Sequence, residues 1–594
     1  MKYRADLHIL RGLAILFVIG YHISSEIFSS GFLGVDIFFV LSGFLISKIY
    51  QKYNFKNYIK NRIKRLLPAY FFCSIFIVFL SVIFLNLKEY NEVIREFYFS
   101  LFFLSNFGFW IKNSYFNNTN FYPLLHYWSL AIEIQFYIIF PIIFIFFYKR
   151  KFIVSLFLIF SFLSCIFFLN ISPKTSFYFL PFRLWEFLFG IIISNIKIDL
   201  KYRNTNIGYI FVLLILFILF TKTSYESHSF IIGHPGIKSL VICILTALII
   251  IFTLPTNKLF YYPNYILEKV GIISYSLYLF HFPIIIFYNY IPFEGNKYNL
   301  NDYSDIFIVL PIILIISFLS YYFIENFFRK KSILFSFFTI IFAIIISSML
   351  TLYKRNLYSE EEINIYNAFN DKGEFRCGKL FRIINPAEIM CKLNINIHSD
   401  EKYLLVGNSH ANALKDGLIN NMITDNNEIW FIVQNDPLMN ATSKSLNPVD
   451  IFIEAEKKGI NNFIIHYDNF YKFKENISKF IELISENNNK IFIISPVPQN
   501  INNAPKALLD NLKSKNEIKL INYNDYKIKN DYIYAFINNN KYYNQLNFID
   551  LGKLICNPLC PVFDKNNKPL YYDPGHLTVS GSKYIANKLK NQLN

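Results

Sequence analysis

Two groups of residues in this 594-residue chain have the types and spacing for chemistry. The first is Arg11, His22 and Glu26, in the apolar stretch LHILRGLAILFVIGYHISSEIF. Arg11 and His22 are eleven residues apart, close to three helical turns, so they share a face about 16 Å apart along the axis. Glu26 follows His22 by four residues, within reach of the imidazole if the helix continues, and would fix its tautomer. Ionisable groups in such a run face a bundle interior or a water-filled cavity. The alternatives are that Arg11 snorkels to the surface and that His22 pairs with another helix. The second group is Ser409 in KYLLVGNSHANAL, with Asp573 and His576 in Asp573-Pro574-Gly575-His576-Leu577. A strand ending at Gly407 and a helix opening at Ser409 would place the hydroxyl where backbone N–H groups can hold an oxyanion. Asp573 and His576, three apart, supply the orienter and base that activate a distant serine for acyl transfer or ester cleavage.

Other polar residues punctuate the apolar runs. Arg62 and Arg65, three apart on one helical face, either grip phosphates or anchor the chain's topology. His126, Glu133 and Tyr137, at spacings of seven and four, share a face that lines a cavity or joins an interhelical network. Arg183 with Glu186, and His281 in Ser274-Tyr275-Ser276-x-Tyr278-x-x-His281, are further cavity-lining candidates.

The elements that must hold these groups are set by composition. The chain is 54% hydrophobic, 19% aromatic and only 17% charged, with a formal net charge of +17. Its basic residues cluster in short loops between apolar runs, where they orient a membrane protein, and this excludes nucleic acid as the partner. Eleven runs are long enough to span a bilayer: 8–25, 32–50, 66–87, 126–148, 152–171, 178–196, 207–221, 236–254, 270–290, 304–324 and 332–353. The run 97–111 is short and interrupted, and reads as re-entrant or interfacial. With the N-terminus in the cytoplasm, inside loops hold Lys48, Lys52, Lys56, Lys60, Lys64, Lys149, Arg150, Lys151, Lys197, Lys201, Arg203, Lys258, Lys269, Arg329, Lys330 and Lys331. The loop 26–31 holds none, and 291–303 only Lys297. An odd number of spans puts everything after 354 outside. No cleavable signal peptide is expected, because the first run passes directly into another helix.

Beyond Ser359 the long apolar runs stop. Short β-like stretches at 402–406, 429–433, 462–466 and 490–494, separated by helical or polar segments, suit a parallel α/β domain. The fold class is therefore a polytopic helical bundle of about eleven spans followed by an extracytoplasmic α/β domain. The boundaries expected are 1–331 for the bundle, 332–353 for an additional span, 354–398 for a linker and 399–594 for the external domain. Cys73, Cys165 and Cys243 fall in apolar runs as small buried hydrophobes. Cys377, Cys391, Cys556 and Cys560 fall in the external part, where Cys377–Cys391 and Cys556–Cys560 are the expected pairings among three connectivities. The Cys556 segment lacks the His/Cys set of a zinc site, and no metal is expected.

Tyr3-Arg4 with Asp6, Leu10-Arg11, His22 and Gly34-Val35-Asp36-x-Phe38-Phe39-x-x-Ser42-Gly43-Phe44 resemble the first two helices of the membrane-bound acyltransferase 3 family. The Arg62-x-x-Arg65 pair, the His126-x-Trp128-Ser129-Leu130-x-x-Glu133 block and the Arg183 and His281 segments match further patterns of that family, over almost the whole chain. The resemblance implies that His22 is essential for acyl transfer and that Arg62 and Arg65 bind acyl-coenzyme A. The Ser409 and Asp573/His576 blocks resemble the SGNH hydrolase fold, whose first block is usually Gly-Asp-Ser-His. Asn408 stands here in place of that Asp, which puts the support of the nucleophile turn in question. Asn435 and Asn469 both follow strands, and neither is assigned as that fold's oxyanion asparagine.

A fusion of the two implies a bacterial inner-membrane O-acetyltransferase with a periplasmic C-terminal domain and acetyl-coenzyme A as donor. In the relay expected, the acyl group moves through the bundle with His22 and Glu26, reaches Ser409, and passes to a sugar hydroxyl. The acceptor expected is lipopolysaccharide O-antigen or another exported polysaccharide, with peptidoglycan as the alternative. A membrane-tethered esterase and an acyl-donor transporter are the readings from other classes.

Overall fold

Apolar side chains that would be stranded in water are acceptable in lipid, and their distribution separates the inner helices of the first unit from its outer ones. In the computed structural model, seven helices among the described residues are long and apolar enough to cross a membrane. Ala5–Ile23 and Gly31–Tyr50 are 78% and 72% buried, whereas Phe152–Ile171, Ile306–Lys330 and Ile333–Asn356 are only 17–22% buried. The first two helices thus form the centre, and the outer ones present Phe, Ile and Leu outward, as a lipid-facing surface does. Tyr261–Ile272 and Ser274–Tyr288, bent by 75°, make an eighth crossing if counted as one span. The result is a multi-pass membrane bundle of seven or eight candidate spans. The structure describes residues 4–593 apart from 51–54, 113–120, 148–150, 197–205, 224–226, 255–259, 298, 301, 386, 436, 439–446, 500–503 and 515–519. The loop cations Lys52, Lys149, Arg150, Lys197, Lys201, Arg203 and Lys258 lie outside the described residues.

Without a hydrophobic force between helices in lipid, close backbone approach through small residues holds a bundle together. The first helix crosses Tyr261–Ile272 at Gly12 and Gly271, where an added Cβ would fall 2.1 Å from Leu267 O and 1.8 Å from His8 O. The second crosses Leu180–Ser194 at Gly43 and Gly190 in the same way, 2.0 Å from Phe187 O and 2.1 Å from Val40 O. The interrupted run 97–111 is divided between helices Leu87–Leu101 and Ser105–Ile111, with Phe103 at a positive φ of 55° between them. Leu87–Leu101 carries Lys88, Glu89, Glu92, Arg95 and Glu96, and Ser105–Ile111 has only seven residues, so neither reads as a span.

The chain divides after Arg355, and residues Asn356–Asn594 form a second unit. Its six-stranded sheet has β1 (Met390–Lys392), β2 (Lys402–Gly407), β3 (Glu428–Ile432), β4 (Asn462–His466), β5 (Lys490–Ile494) and β6 (Leu546–Ile549), in the order β1-β3-β2-β4-β5-β6. All neighbours are parallel except β1, which pairs antiparallel with β3. Strand alternation sends Tyr403, Leu405, Phe431 and Ile464 to a core shared with Leu414, Leu418, Ile585 and Leu589. Leu404, Val406, Phe463 and Ile465 join Ile451, Phe452, Ile477 and Phe480 on the other face. Both faces are covered, which is why the central strands read as continuous apolar runs.

Four strands lie where the sequence places them, but β1 and β6 go unforeseen, being three and four residues long at the sheet edges. The segment 354–398, expected as a linker, instead carries helix Glu360–Ala368, opened by a Ser359/Glu362 capping box, helix Lys379–Ile384 and β1. From Asn356 onward it belongs to the second unit, where β1 supplies the sheet's edge. Disulfides join Cys377 to Cys391 and Cys556 to Cys560, while Cys73, Cys165 and Cys243 are buried thiols.

Candidate active sites

Strand β2 ends at Gly407 and helix Ser409–Thr424 begins two residues later, so Ser409 stands exposed at the carboxyl end of the sheet. Helix start and strand end are fixed by Asn408, whose side-chain oxygen accepts the His410 N–H at 3.1 Å as an N-cap. Its amide N–H also donates to Asp468 Oδ1 at 2.5 Å. The turn is therefore supported despite the departure from Asp. Ser409 Oγ donates to His576 Nε2 at 2.8 Å, and His576 Nδ1 donates to Asp573 Oδ2 at 2.8 Å. The Gly575 and His576 backbone N–H groups also donate to Asp573 Oδ1, at 3.0 and 2.7 Å. Burial alone would raise the Asp573 pKa, but these bonds outweigh it and hold the carboxylate below its ordinary range. An ionised Asp573 fixes the tautomer that leaves Nε2 free to take the serine proton.

His410 lies against this triad, its ring centroid 4.4 Å from that of His576. It is 5% exposed, and burial followed by the charge of His576 pushes its pKa down to about 3. A neutral His410 beside the base adds no competing charge. Asn469 uses its side-chain oxygen to cap the turn at Tyr471 and Lys472, and Asn435 is exposed after β3.

In the membrane unit a cleft gathers Arg11, Arg62 and Arg65 with Glu133, Tyr137, Ser42, Ser129 and Tyr278. Tyr137 and Ser42 both donate to Glu133 Oε1, and the Arg62 guanidinium lies 5.2 Å over the Tyr137 ring. Three guanidinium groups lining one cleft suit a polyanionic ligand. The cleft thus unites residues from four apolar runs and from the basic stretch that carries Arg62 and Arg65. Ser42 is the member whose contact with Glu133 was not anticipated.

His22, His126 and His281 form a separate buried cluster. The His22 and His126 rings lie 5.5 and 5.8 Å from that of His281, and both pack on Phe282 at 4.9 and 5.2 Å. Glu26 is not part of it. The first helix ends at Ile23, so the four-residue spacing no longer turns Glu26 toward His22; Glu26 lies in the following turn and is exposed. Arg183 and Glu186 make a third group. Arg183 Nη2 meets Asp36 at 2.5 Å, its Nε meets Glu186 at 3.1 Å, and its Nη1 lies 3.1 Å from His234 Nε2. Arg183, Asp36 and Glu186 are fully buried, and the group ties together two helices and the loop that carries His234. Asp36 was legible as a carboxylate inside an apolar helix, which requires a cation; His234, in a loop, carried no such signal.

Comparison with known proteins bears on both units. A family model described as an acyltransferase domain matches residues 4–352, and one described as an SGNH domain fused to AT3 domains matches residues 386–591. A protein of Staphylococcus aureus (strain MSSA476) named "Putative O-acetyltransferase" is 31% identical over 368 residues, covering 56% of this chain and 58% of that one. The O-acetyltransferase OatA of Staphylococcus aureus (strain NCTC 8325 / PS 47) is 29% identical over 364 residues, with the same coverage of 56% and 58%. The matched region thus spans 58% of the length of these relatives. Among solved structures, the periplasmic domain of the Salmonella ser. Paratyphi A lipopolysaccharide acetyltransferase is similar at 18% identity and a TM-score of 0.31, over 38% of this chain and 96% of that chain.

Proposed function

The chain belongs to the acyltransferase family whose domain covers residues 4–352, and from that premise we propose a membrane O-acetyltransferase that acts on an extracytoplasmic envelope glycan. The observation that carries the reading is the Ser409–His576–Asp573 chain of hydrogen bonds, present in one polypeptide with a membrane cleft that carries three arginines. Acetyl-coenzyme A is the donor, with Arg11, Arg62 and Arg65 as the groups that hold its phosphates. O-antigen or another exported polysaccharide is the acceptor.

In this reading residues 1–331 are the acyl-transferring bundle and 332–353 an additional span. Eleven helices cross the bilayer: the seven long ones, the bent pair as one, and the shorter Leu180–Ser194, Ile207–Leu219 and Ile237–Phe252. That odd number places the second unit outside. His22, with its neighbours His126 and His281, takes part in moving the acetyl group through the bundle.

At Ser409 the chemistry is acyl exchange in two halves. His576 Nε2 takes the hydroxyl proton as Ser409 Oγ bonds to the acetyl carbon, and the proton passes to the departing carrier. An acceptor hydroxyl then attacks the ester carbonyl and gives its proton to His576, and the Ser409 oxygen leaves and regains that proton. The backbone N–H at the start of the Ser409 helix faces the developing oxyanion. Membrane vesicles supplied with radiolabelled acetyl-coenzyme A test the reading. Label is expected in polysaccharide as alkali-labile ester, and label that never reaches carbohydrate overturns it.

A further inference from the structure

A second cleft in the C-terminal unit has no part in the triad, yet its wall is bonded to the turn that carries Ser409. After β4 the chain runs Tyr467-Asp468-Asn469-Phe470-Tyr471. The Asp468 side chain holds Asn408 beside Ser409, and the Asp468 carbonyl accepts a hydrogen bond from Tyr532 Oη at 3.0 Å. Tyr532 in turn lines a cleft of about 300 Å³ together with Phe470, Tyr471 and Phe536, with Lys474 and Asn539 among the polar groups that share it. That size lies at the lower end of the roughly 300–1,000 Å³ of ligand clefts.

The lining chemistry is selective. Tyr471 is 74% exposed, although it stands next to Phe470, which is 1% exposed in the core. Its ring therefore offers an aromatic face and a hydroxyl to whatever enters. Among the described residues no carboxylate lines the cleft and Lys474 is its one cation, which does not match a polyanion such as a nucleotide. A mostly apolar acyl chain would leave the Asn539 amide and the tyrosine hydroxyl without partners. A pyranose ring has the complementary pattern, with an apolar C–H face for the aromatic rings and a rim of hydroxyls for amide, ammonium and phenol groups.

We propose that this cleft is an acceptor subsite that binds a sugar ring of the glycan chain, so that a hydroxyl of a nearby ring is presented to acylated Ser409. The proposal rests on the glycan-acceptor reading above. It adds a reason for transfer to outrun hydrolysis, since a bound chain holds its hydroxyl at the ester at high effective concentration.

The test uses the full-length protein with two substrates. One is envelope polysaccharide stripped of its esters with alkali; the other is p-nitrophenyl acetate, whose hydrolysis reads the triad alone. In Tyr471→Ala the KM for polysaccharide is expected to rise about tenfold, with ester hydrolysis within twofold of wild type. Tyr471→Phe, which keeps the ring, is expected to retain most of the wild-type affinity. Unchanged transfer in Tyr471→Ala overturns the subsite and leaves the cleft to another occupant. An equal fall in transfer and hydrolysis also overturns it, because Tyr471 would then act through the triad. A wild type that cleaves the ester but acetylates no polysaccharide overturns the glycan reading itself, and the subsite with it.

Discussion

Asn408 and Asp468 are joined by a 2.5 Å hydrogen bond in which the Asn408 amide donates and the Asp468 carboxylate accepts, one residue ahead of Ser409. The same Asn408 side chain accepts the His410 N–H, so one amide faces both ways. A carboxylate at position 408 offers only acceptors and would stand against Asp468.

Asn408→Asp is therefore expected to lower p-nitrophenyl acetate hydrolysis about tenfold or more by repulsion at the nucleophile turn. Adding Asp468→Asn restores a donor–acceptor pair and is expected to recover most of the rate. A double-mutant cycle checks this, with a coupling of about 1–3 kcal/mol expected for bonded neighbours. Additive losses would show that the pair does not support the turn.

Asp573 orients His576 through two oxygens and is held ionised by those bonds. Asp573→Asn keeps the shape but permits the wrong imidazole tautomer, and kcat for ester hydrolysis is expected to fall about 10³–10⁴-fold with little change in KM. Steady-state kinetics on the purified protein decide between this and a fall in binding alone.

His410 makes stability sensitive to acid. Unfolded, it takes a proton near its ordinary value of 6.5; folded, burial and then the neighbouring His576 delay protonation to about pH 3. The unfolded state thus binds more protons between these values, and stability falls as pH drops from 6.5 toward 3. His466, buried with a pKa pushed down to about 4, acts with the same sign. His410→Gln is expected to shrink the loss in unfolding temperature between pH 7.5 and pH 5 without abolishing it. Equal losses in the two proteins would contradict a buried, neutral His410.

The Cys377–Cys391 disulfide spans fourteen residues and fastens the chain before helix Lys379–Ile384 to edge strand β1. A loop of that length contributes about 3 kcal/mol in the chain-entropy account. Cys377→Ser with Cys391→Ser is expected to lower the C-terminal unit's stability by about that amount, as read by denaturant unfolding. The Cys556–Cys560 bridge spans only four residues, and its loss is expected to matter less.

Much of the triad was legible because each part sits in a local signature. Strand, Gly407 and Ser409 occupy one short phrase, and Asp573 lies three residues from His576. What sequence spacing missed depends on where helices stop and how they turn against one another. The His22–Glu26 relation requires the helix to continue past Ile23, where it ends. Partners such as Ser42 for Glu133, Asp36 and His234 for Arg183, and His281 for His22 come from distant segments, and no periodicity within one run specifies them. Strands β1 and β6 escaped because edge strands of three or four residues carry too little alternation to stand out from loops.

The central claim is that one protein uses a membrane histidine and an external serine for a single transfer. Its most direct test is the O-acetyl content of envelope polysaccharide, measured by proton NMR from cells expressing wild type, His22→Ala or Ser409→Ala at matched protein levels. Wild type is expected to add acetyl groups and both variants to lose them. Polysaccharide acetylated to the wild-type level by Ser409→Ala would contradict the account.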